Sequence, residues 1–420
     1  MRSRSPTPTL NTTASGSKVF VLCGLIALIN PAFAQVWTPT SAPTTNWSCL
    51  ASSANGSKLV AVVGPRLWRQ RAGFGTIYTS TNSGETWTET SAPSTNWSSV
   101  ASSADGTRLV AVAHGDSSGG PIYTSVDSGA TWTPTSAPLL NWSCVASSAD
   151  GRKLAAGSAS SVGVGKPIYS STDGGVTWQP AAQPDLLWDA IASSADGNKL
   201  VAAAYGDIYT SIDSGTSWTL TFAWPTPFSR WGALAISADG TRAVAALHWA
   251  TSGFQYVPGP IYASTNSGAD WALTGAPNLW WTAAACSADA STVVAAGESV
   301  YTSTNSGATG TTYSSPSTDW ASVASSADGN KLVAAVNGGG IYTSQSTPAP
   351  ALSITASGAN IVHSWIVPSL DFSLQENSEL TPANWMDVTN TPTLNLTNLQ
   401  NQVTVPPPTG NRFYRLKHAL

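Results

Sequence analysis

Charged side chains are scarce in this chain. Asp, Glu, Lys and Arg together make up 10% of its 420 residues, whereas an average soluble domain has about 25%. Solubility therefore has to come from serine, threonine, asparagine and glycine. No stretch shows the 3.6-residue spacing of apolar side chains that predicts an amphipathic helix, so we expect an all-β protein.

Cysteine is also rare, with four in the sequence. One lies in the N-terminal leader, and the other three, Cys49, Cys144 and Cys286, occupy separate repeats. Cysteines placed in this way predict neither a disulfide framework nor a zinc site, and we interpret them as small buried hydrophobic residues. His114 and His248 are lone histidines without metal-ligand partners. We predict no metal and no cofactor.

No hydrophobic run is long enough to cross a bilayer. The longest, residues 19–29, has about eleven residues, whereas a helix that spans about 30 Å needs about 20. Basic residues precede this run and an A-x-A pattern follows it at residues 32–34, as in a secretory signal peptide. We predict that residues 1–34 are a signal, that the mature chain begins at Gln35, and that the protein is extracellular, on the cell surface or periplasmic.

The net charge of the mature chain disfavours anionic partners. The predicted signal contains Arg2, Arg4 and Lys18 and no acidic residue, so 15 basic and 22 acidic residues remain, a net charge of −7. Nucleic acids and anionic membranes bind basic surfaces. We predict that the protein binds no nucleic acid, has no membrane span and is a monomer.

One pattern of about 45 residues recurs seven times between residues 46 and 346. In the second copy, 97–103 and 108–112 are short strand-like segments separated by the turn signal Ala-Asp-Gly, and 121–125 and 132–135 follow around a second tight turn. Four antiparallel strands per copy make a sheet that cannot close on itself. Seven such sheets predict a seven-bladed β-propeller at residues 35–344.

The turn between the third and fourth strands of a copy carries the sequence S-x-D/N-x-G-x-x-W. Five copies are intact, whereas the sixth lacks the tryptophan and the seventh ends after Ser344. An Asp or Asn side chain can cap backbone N–H groups there, glycine can adopt positive φ, and tryptophan can pack on the blade. The residues that we interpret as structural parts of this turn are Asn82, Gly84, Trp87, Asp127, Gly129, Trp132, Asp173, Gly175, Trp178, Asp213, Gly215, Trp218, Asn266, Gly268 and Trp271.

This turn resembles the Asp-box, or bacterial neuraminidase repeat, of a propeller superfamily that includes sialidases, xyloglucan hydrolases, sortilin-type receptors and photosystem II assembly factors. The resemblance implies that the box is structural and lies on the face opposite the binding site. It does not choose among the functions of that superfamily. The F/Y-R-I-P signature of sialidases is absent, because residues 65–68 read Pro-Arg-Leu-Trp.

The last repeat lacks a fourth strand of its own. Residues 36–40, Val-Trp-Thr-Pro-Thr, match residues 131–135 closely and directly follow the predicted cleavage site. We predict that this N-terminal strand completes the last blade and closes the ring, which hides sheet edges that would otherwise invite aggregation.

The character of the sequence changes near its C-terminus. Residues 345–350 are interpreted as a linker, and short strand-like segments in residues 351–420 predict a small β-sandwich. Leu374, Gln375, Trp385 and residues 413–416 resemble the Ig-like or fibronectin-like modules of secreted bacterial multidomain proteins. Such modules serve as spacers, sorting elements or surface attachments.

Functional residues are best sought where the repeats differ. Once the repeated tryptophans are assigned to architecture, Trp68, Trp224, Trp249 and Trp280 remain, all in loops expected on one face. Exposed aromatic residues beside basic ones suit stacking on sugar rings or capture of a peptide, although the same rings could pack loop against loop. The complete predicted set of ligand-binding residues is Arg66, Trp68, Arg69, Trp224, Arg230, His248, Trp249, Tyr256 and Trp280.

A two-carboxylate glycosidase would need an acid and a base or nucleophile facing each other across the cleft, about 5–10 Å apart. Most acidic residues belong to the repeated turns, and Asp189 and Asp319, beside inner-strand tryptophans, are the best remaining pair. Our first expectation is a secreted, non-catalytic propeller that binds a glycan or an extracellular protein. The alternatives are a glycoside hydrolase of sialidase or xyloglucanase type, and a structural surface protein without a dedicated ligand.

Overall fold

The structure is a computed structural model, and it describes fourteen parts of the chain. These are residues 37–64, 74–115, 118–159, 165–182, 184–224, 229–252, 255–313, 317, 319–345, 352–366, 372–378, 385–395, 400–408 and 412–418. The predicted signal and most of the predicted linker lie outside them. The chain divides into two compact units, Ala34–Ser346 and a second that contains Thr347–Leu420.

The described residues form β-strands and turns and contain no helix. The part of the chain that the structure describes accordingly includes no helix able to span a membrane. In the first unit the strands are β1 (Thr38–Pro39), β2 (Thr45–Ser52), β3 (Leu59–Val63), β4 (Ile77–Ser80), β5 (Thr88–Glu89), β6 (Trp97–Ser102), β7 (Leu109–Ala113), β8 (Ile122–Ser125), β9 (Thr133–Pro134), β10 (Trp142–Ser147), β11 (Leu154–Ser158), β12 (Tyr169–Ser171), β13 (Gln179–Pro180), β14 (Ala190–Ser193), β15 (Leu200–Ala204), β16 (Asp207–Ser211), β17 (Thr219–Phe222), β18 (Arg230–Ile236), β19 (Ala243–Ser252), β20 (Gln255–Pro258), β21 (Ile261–Ser264), β22 (Ala272–Leu273), β23 (Ala283–Cys286), β24 (Val293–Ala296), β25 (Val300–Ser303), β26 (Thr311–Tyr313), β27 (Trp320–Ser325), β28 (Lys331–Gly339) and β29 (Ile341–Gln345).

These strands form seven antiparallel blades. Blades 1 to 4 are β2 to β5, β6 to β9, β10 to β13 and β14 to β17, each in chain order. Blade 5 is β18, β19, β21 and β22, with β20 added to β19, and blade 6 is β23 to β26. Blade 7 is β27, β28, β29 and β1. The predicted all-β propeller is confirmed.

The N-terminal strand closes the last blade. β1 pairs antiparallel with β29, with Thr38 opposite Thr343 and Pro39 opposite Tyr342. The Trp37 ring is 9% exposed and lies 5.4 Å from the ring of Trp320, centroid to centroid. The closing strand is therefore held by backbone pairing and by aromatic packing.

A second closure runs through all seven blades. The alanine of each first turn donates its N–H to the carbonyl of the equivalent alanine in the next blade, at 2.6–2.8 Å, and Ala327 returns the bond to Ala54. The small alanine side chain lets neighbouring turns approach this closely. The members of this alanine belt are Ala54, Ala104, Ala149, Ala195, Ala238, Ala288 and Ala327.

Each blade packs through one buried tryptophan at the start of its inner strand. Trp97, for example, is fully buried, and its ring meets Tyr123 edge-on at 5.6 Å and Trp132 at 6.4 Å. Second strands such as β7 are buried along their whole length, which explains their continuous Leu, Val and Ala sequence. The seven inner tryptophans, each at most 1% exposed, are Trp47, Trp97, Trp142, Trp188, Trp231, Trp281 and Trp320.

The turn between the third and fourth strands has the same side-chain cap in the five predicted copies, and in four of them the tryptophan also donates to the box glycine; in blade 1, Trp87 Nε1 has no hydrogen-bond partner among the described residues. In blade 2, Ser125 Oγ donates to Asp127 Oδ1 at 2.8 Å, and the Gly129 N–H donates to Ser125 Oγ at 2.9 Å. The Thr131 N–H donates to Asp127 Oδ1, and Trp132 Nε1 donates to the Gly129 carbonyl. Glycine is required because Gly129 has φ of 89°. Equivalent side-chain to backbone bonds form around Asn82, Asp173, Asp213 and Asn266.

Replacing Asp127 by alanine is expected to lower the free energy of unfolding by about 1 kcal/mol, because the turn loses its side-chain cap. Asp127→Asn should be nearly neutral at pH 7, since blades 1 and 5 use asparagine at this position. Hydrogen bonds from Thr131 and Ser125 lower the pKa of Asp127 to about 2. The stabilisation that the ionised Asp127 side chain gives the folded protein should thus be complete above about pH 4 and should fall as the pH approaches 2. The stabilisation from asparagine at this position should not change with pH, because its side chain does not titrate. Urea unfolding of the wild type, Asp127→Ala and Asp127→Asn at pH 7 and pH 3 tests this. The prediction would be contradicted if both variants lost the same free energy of unfolding relative to the wild type.

The second unit is a small β-sandwich. Its strands are β30 (Ser353–Ser357), β31 (Asn360–Ile366), β32 (Phe372–Asn377), β33 (Met386–Asp387), β34 (Thr393–Asn395), β35 (Gln400–Val405) and β36 (Phe413–His418). One sheet has the order β30, β31, β35, β34 and the other β33, β32, β36. Trp365, Leu374, Val403 and Val405 from both sheets form one buried core. The predicted C-terminal sandwich is confirmed, while the boundaries at residues 345 and 351 stay predictions.

Candidate binding site on the loop face

The two faces of the propeller differ in their connections. The turn face carries the short turns between first and second strands and between third and fourth strands. The opposite face, here called the loop face, carries the connections between second and third strands and between blades. The predicted box residues lie on the turn face and the predicted ligand-binding residues of the described regions lie on the loop face, as the strand order requires.

On the loop face, the side chain of the residue after the inner tryptophan reaches the neighbouring blade in blades 1 to 4 and in blade 6, whereas blade 7 has Ala321 at this position. A β-bulge between Trp47 and Cys49 lets Ser48 leave the regular register, and its hydroxyl donates to the carbonyl of Trp97 at 2.8 Å. We call this bond the interblade latch. The same bond is formed by Ser98, Ser143 and Thr282.

Blade 4 replaces the latch hydroxyl with Asp189, whose carboxylate joins blades 4 and 5. Arg230 Nε lies 3.1 Å from Asp189 Oδ1, and the backbone N–H groups of Trp231 and Tyr205 also donate to this carboxylate. Only 11% of the Asp189 side chain is exposed, against 29% of Arg230. Burial raises the pKa of Asp189 to about 6, while Arg230 and the two N–H donors oppose the rise. At neutral pH the pair is therefore ionised, and the two charges offset each other.

Blade 5 forms its latch with a histidine. Its latch position is Gly232, where a Cβ would lie 2.1 Å from the carbonyl oxygen of Trp281, so that no side chain fits. His248 Nδ1 lies 2.8 Å from that oxygen instead. Because a carbonyl oxygen only accepts, we assign a proton to Nδ1. The ring of His248 also meets Trp280 nearly edge-on, with centroids 5.7 Å apart.

A hairpin extends blade 5 on the loop face. The end of β19 pairs with β20, and across this hairpin the rings of Trp249 and Tyr256 lie 4.4 Å apart at 62°. Trp249 is half-buried and Tyr256 is 63% exposed. In the sheet, Trp249 is opposite Arg230. The hairpin therefore places an accessible aromatic pair beside the Asp189 and Arg230 ion pair.

Trp224, in the connection between blades 4 and 5, packs against blade 5. Its ring lies 5.7 Å from Tyr262 and 6.3 Å from Trp231, and both contacts are edge-on. Its backbone N–H donates to Asp207 Oδ1. The half-buried indole thus extends the core of blade 5, and we leave it out of the proposed contact surface.

The other predicted site residues lie either outside the described residues or in another blade. Arg66, Trp68 and Arg69 lie outside the described residues. Asp319 is exposed in blade 7, three blades from Asp189 around the ring, where its Oδ2 accepts a hydrogen bond from Asn337 Nδ2 at 3.3 Å. The described residues hold no cluster of three or more His, Cys, Asp or Glu side chains suited to a metal.

Tyr205 is a loop-face residue that is absent from the predicted set of ligand-binding residues. It forms a two-residue turn with Gly206 between β15 and β16, and it is 46% exposed. Its N–H group is one of the donors to Asp189. The available signal was the turn itself, because asparagine, not tyrosine, is the usual residue before glycine in a turn of this length.

Two small cavities lie between blades near the turn face. Each has a volume of about 10 Å³; one is lined by Arg108 and Gly151 among others, and the other by Lys58 and Gly106. Each is large enough for about one water molecule, so neither is a ligand pocket. The loop-face group of blades 4 to 6 is instead an open surface, where half-buried and exposed aromatic rings lie near a partly buried ion pair.

The protein is therefore a seven-bladed β-propeller in which, among the described residues of the loop face, blades 4 and 5 replace the hydroxyl latch with charged or imidazole side chains. No protein-family model matches the chain, and no curated protein matches it. Among solved structures, it is similar to the GH74 xyloglucanase from Xanthomonas campestris, with a TM-score of 0.55 and 15% identity over 79% of this chain and 59% of that one. It is also similar to YCF48 from Cyanidioschyzon merolae, with a TM-score of 0.52 and 13% identity over 74% of this chain and 98% of that one.

These similarities show the fold alone, since both identities are low. The chain spans less than two thirds of the xyloglucanase. Activity on xyloglucan is therefore only a hypothesis for this chain.

Proposed function

We propose that this protein is secreted and binds a glycan, without catalysis, through the loop face of blades 4 to 6. The observation that carries the proposal is the break in the repeat in this sector. Blades 1, 2, 3 and 6 use a hydroxyl latch and blade 7 has Ala321 at that position. Blade 4 instead has Asp189, which pairs with Arg230, and blade 5 forms its latch with His248 and adds the Trp249 and Tyr256 hairpin. Accessible aromatic rings beside polar groups suit the stacking of sugar rings.

Three further inferences belong to this proposal. The leader at residues 1–34 would direct the chain to the extracellular space, the cell surface or the periplasm. The box turns would make the propeller a member of the Asp-box superfamily. The C-terminal sandwich would be an Ig-like or fibronectin-like accessory module that attaches or spaces the propeller. Mass spectrometry of the secreted product tests the first of these, with Gln35 expected as its N-terminal residue.

The binding proposal is tested with a glycan array, followed by calorimetry with the mature chain. We expect Trp249→Ala and Tyr256→Ala each to weaken glycan binding about tenfold, because each removes part of one stacking surface. Ile212→Ala is the matched control, since this side chain is 77% exposed on the turn face. A wild-type protein that binds none of the arrayed glycans would overturn the proposal, and capture of a protein ligand by the same face would redirect it.

A glycoside hydrolase is the second candidate, favoured by one observation. The raised pKa of Asp189, about 6, would let this carboxyl retain its proton in mildly acidic solution, as a general acid must. One solved structural neighbour is also named as a xyloglucanase. Release of reducing ends from xyloglucan, abolished in Asp189→Asn and in Asp319→Asn, would establish hydrolysis and replace the non-catalytic proposal.

A further inference from the structure

The backbone of Tyr205 is in an unfavourable conformation. Seven described residues other than glycine have positive φ, and five of them are serines at one position of the box turn. The sixth is Ala290, at the glycine position of a first turn. Tyr205 has φ of 49°, a region that bulky side chains rarely occupy. Such strain persists where the surrounding structure holds it in place, and it concentrates at functional sites.

The surroundings of Tyr205 show what holds it. β15 and β16 pair up to Ala204 and Asp207, so only Tyr205 and Gly206 remain to make the turn, and both have positive φ. This is the conformation in which Asn-Gly is favoured. The N–H of Tyr205 donates to the buried carboxylate of Asp189, which is fixed in turn by Arg230. Asp189 therefore acts as a positioning residue for the strained turn.

Burial does not explain the choice of tyrosine. The residue is 46% exposed, so much of its ring stays in contact with water, and the turn would be less strained with asparagine. A large ring that is held at a cost and left accessible is suited to meet a ligand. It shares the loop face with Tyr256, which is 63% exposed in the next blade.

The charges nearby indicate the class of ligand. The guanidinium of Arg230 is already matched by Asp189 at 3.1 Å, so the cation beside Tyr205 offers little net attraction for an anionic sugar. The apolar face of a pyranose ring fits an aromatic side chain without any charge. An uncharged polysaccharide is therefore favoured over a uronic or sialic acid polymer.

We propose that Tyr205 is a stacking residue of the loop-face site and that it receives a pyranose ring of an uncharged polysaccharide. The assignment rests on the proposed glycan-binding function and deepens it by naming the ligand class and a contact residue. Asp189 holds the turn from which the ring projects.

The test compares Tyr205→Asn with Tyr205→Phe in the mature chain. Asparagine suits the turn and lacks the ring, so we expect the melting temperature to rise by about 1–2 °C and xyloglucan binding to weaken about tenfold. Phenylalanine keeps both the ring and the strain, so its binding and melting temperature should stay close to those of the wild type. Polygalacturonate, the charged probe, should bind at least tenfold more weakly than xyloglucan.

Wild-type protein that binds no polysaccharide contradicts the proposed function, and the stacking role with it. Wild-type binding that is unchanged in Tyr205→Asn overturns the stacking role alone. A Tyr205→Asn variant that melts at a lower temperature shows that the tyrosine supports the fold and overturns the strain argument. Equal or tighter binding of polygalacturonate overturns the assigned ligand class.

Discussion

Replacing Trp37 by alanine is expected to lower the free energy of unfolding by about 4 kcal/mol, the cost of removing a large buried aromatic side chain. Trp37 is 9% exposed and packs on Trp320, which is fully buried in the last blade. The strand it anchors, β1, pairs with β29 at two positions, Thr38 with Thr343 and Pro39 with Tyr342. Loss of this anchor should therefore also free the closing strand.

Hydrogen–deuterium exchange distinguishes loss of closure from general destabilisation. In Trp37→Ala, peptides that cover β29 should exchange much faster than peptides of β7, which lies in blade 2. Trp132→Ala is the matched control, because this tryptophan holds the equivalent position in a blade whose four strands are continuous in sequence. In Trp132→Ala, faster exchange is expected only in peptides of blade 2. Uniform acceleration throughout the ring in Trp37→Ala would contradict a local closing role.

Blade 7 also shows why its closure depends so strongly on Trp37. In blade 2, the box glycine accepts a hydrogen bond from Trp132 Nε1. In blade 7 the box sequence is not continued after Ser344, and the tryptophan of this blade is Trp37, which precedes the N-terminal strand β1. Ser344 Oγ and Trp37 Nε1 are both buried and have no hydrogen-bond partner among the described residues. Closure there rests on ring packing and on strand pairing.

Acidification is expected to destabilise the C-terminal sandwich by about 3 kcal/mol between pH 6.5 and pH 4. His363 is fully buried between the two sheets, with its ring 4.0 Å from that of Tyr414, and neither ring nitrogen has a hydrogen-bond partner in the described part of the chain. Burial lowers the pKa of His363 to about 4 from an ordinary value of 6.5. Each unit of this shift corresponds to about 1.4 kcal/mol.

The sign of this effect follows from proton binding. Below pH 6.5 the unfolded chain binds a proton at His363 that the folded chain does not bind until about pH 4, so stability falls as the pH drops through this window. His363→Leu should remove the dependence while keeping the core apolar. Exchange rates of β31 and β35 peptides at several pH values measure it within the sandwich. An identical pH dependence in the wild type and in His363→Leu would refute the prediction.

Much of the fold could be predicted because the sequence of each repeat contains the strand and turn signals of one complete blade. The positions that Trp97, Tyr123 and Trp132 hold in the second copy carry the same residue types in most other copies. A feature that the copies share is one that the blades need. The closing strand was predictable for the same reason, since residues 36–40 match the missing segment of the last copy. The small C-terminal sandwich followed from its short strand-like segments.

The candidate site was predictable only in part. Differences between copies directed attention to Arg230, His248 and Trp249, which the structure places in one sector. The partners of these residues were not readable, because Asp189 meets Arg230 across a blade boundary and His248 reaches the carbonyl of Trp281 in the next blade. Trp224 also lies outside the repeated tryptophan positions and was predicted to bind a ligand for the same reason. In the structure, however, it packs against Trp231 and Tyr262.

Local information in the chain specifies the blades, their number and their buried tryptophans, because strand periodicity, turn chemistry and repetition act within about 45 residues. The contacts between blades depend on three-dimensional proximity of residues that lie far apart in sequence. The belt from Ala54 to Ala327 and the ion pair of Asp189 with Arg230 therefore follow only from the assembly of the blades around one axis.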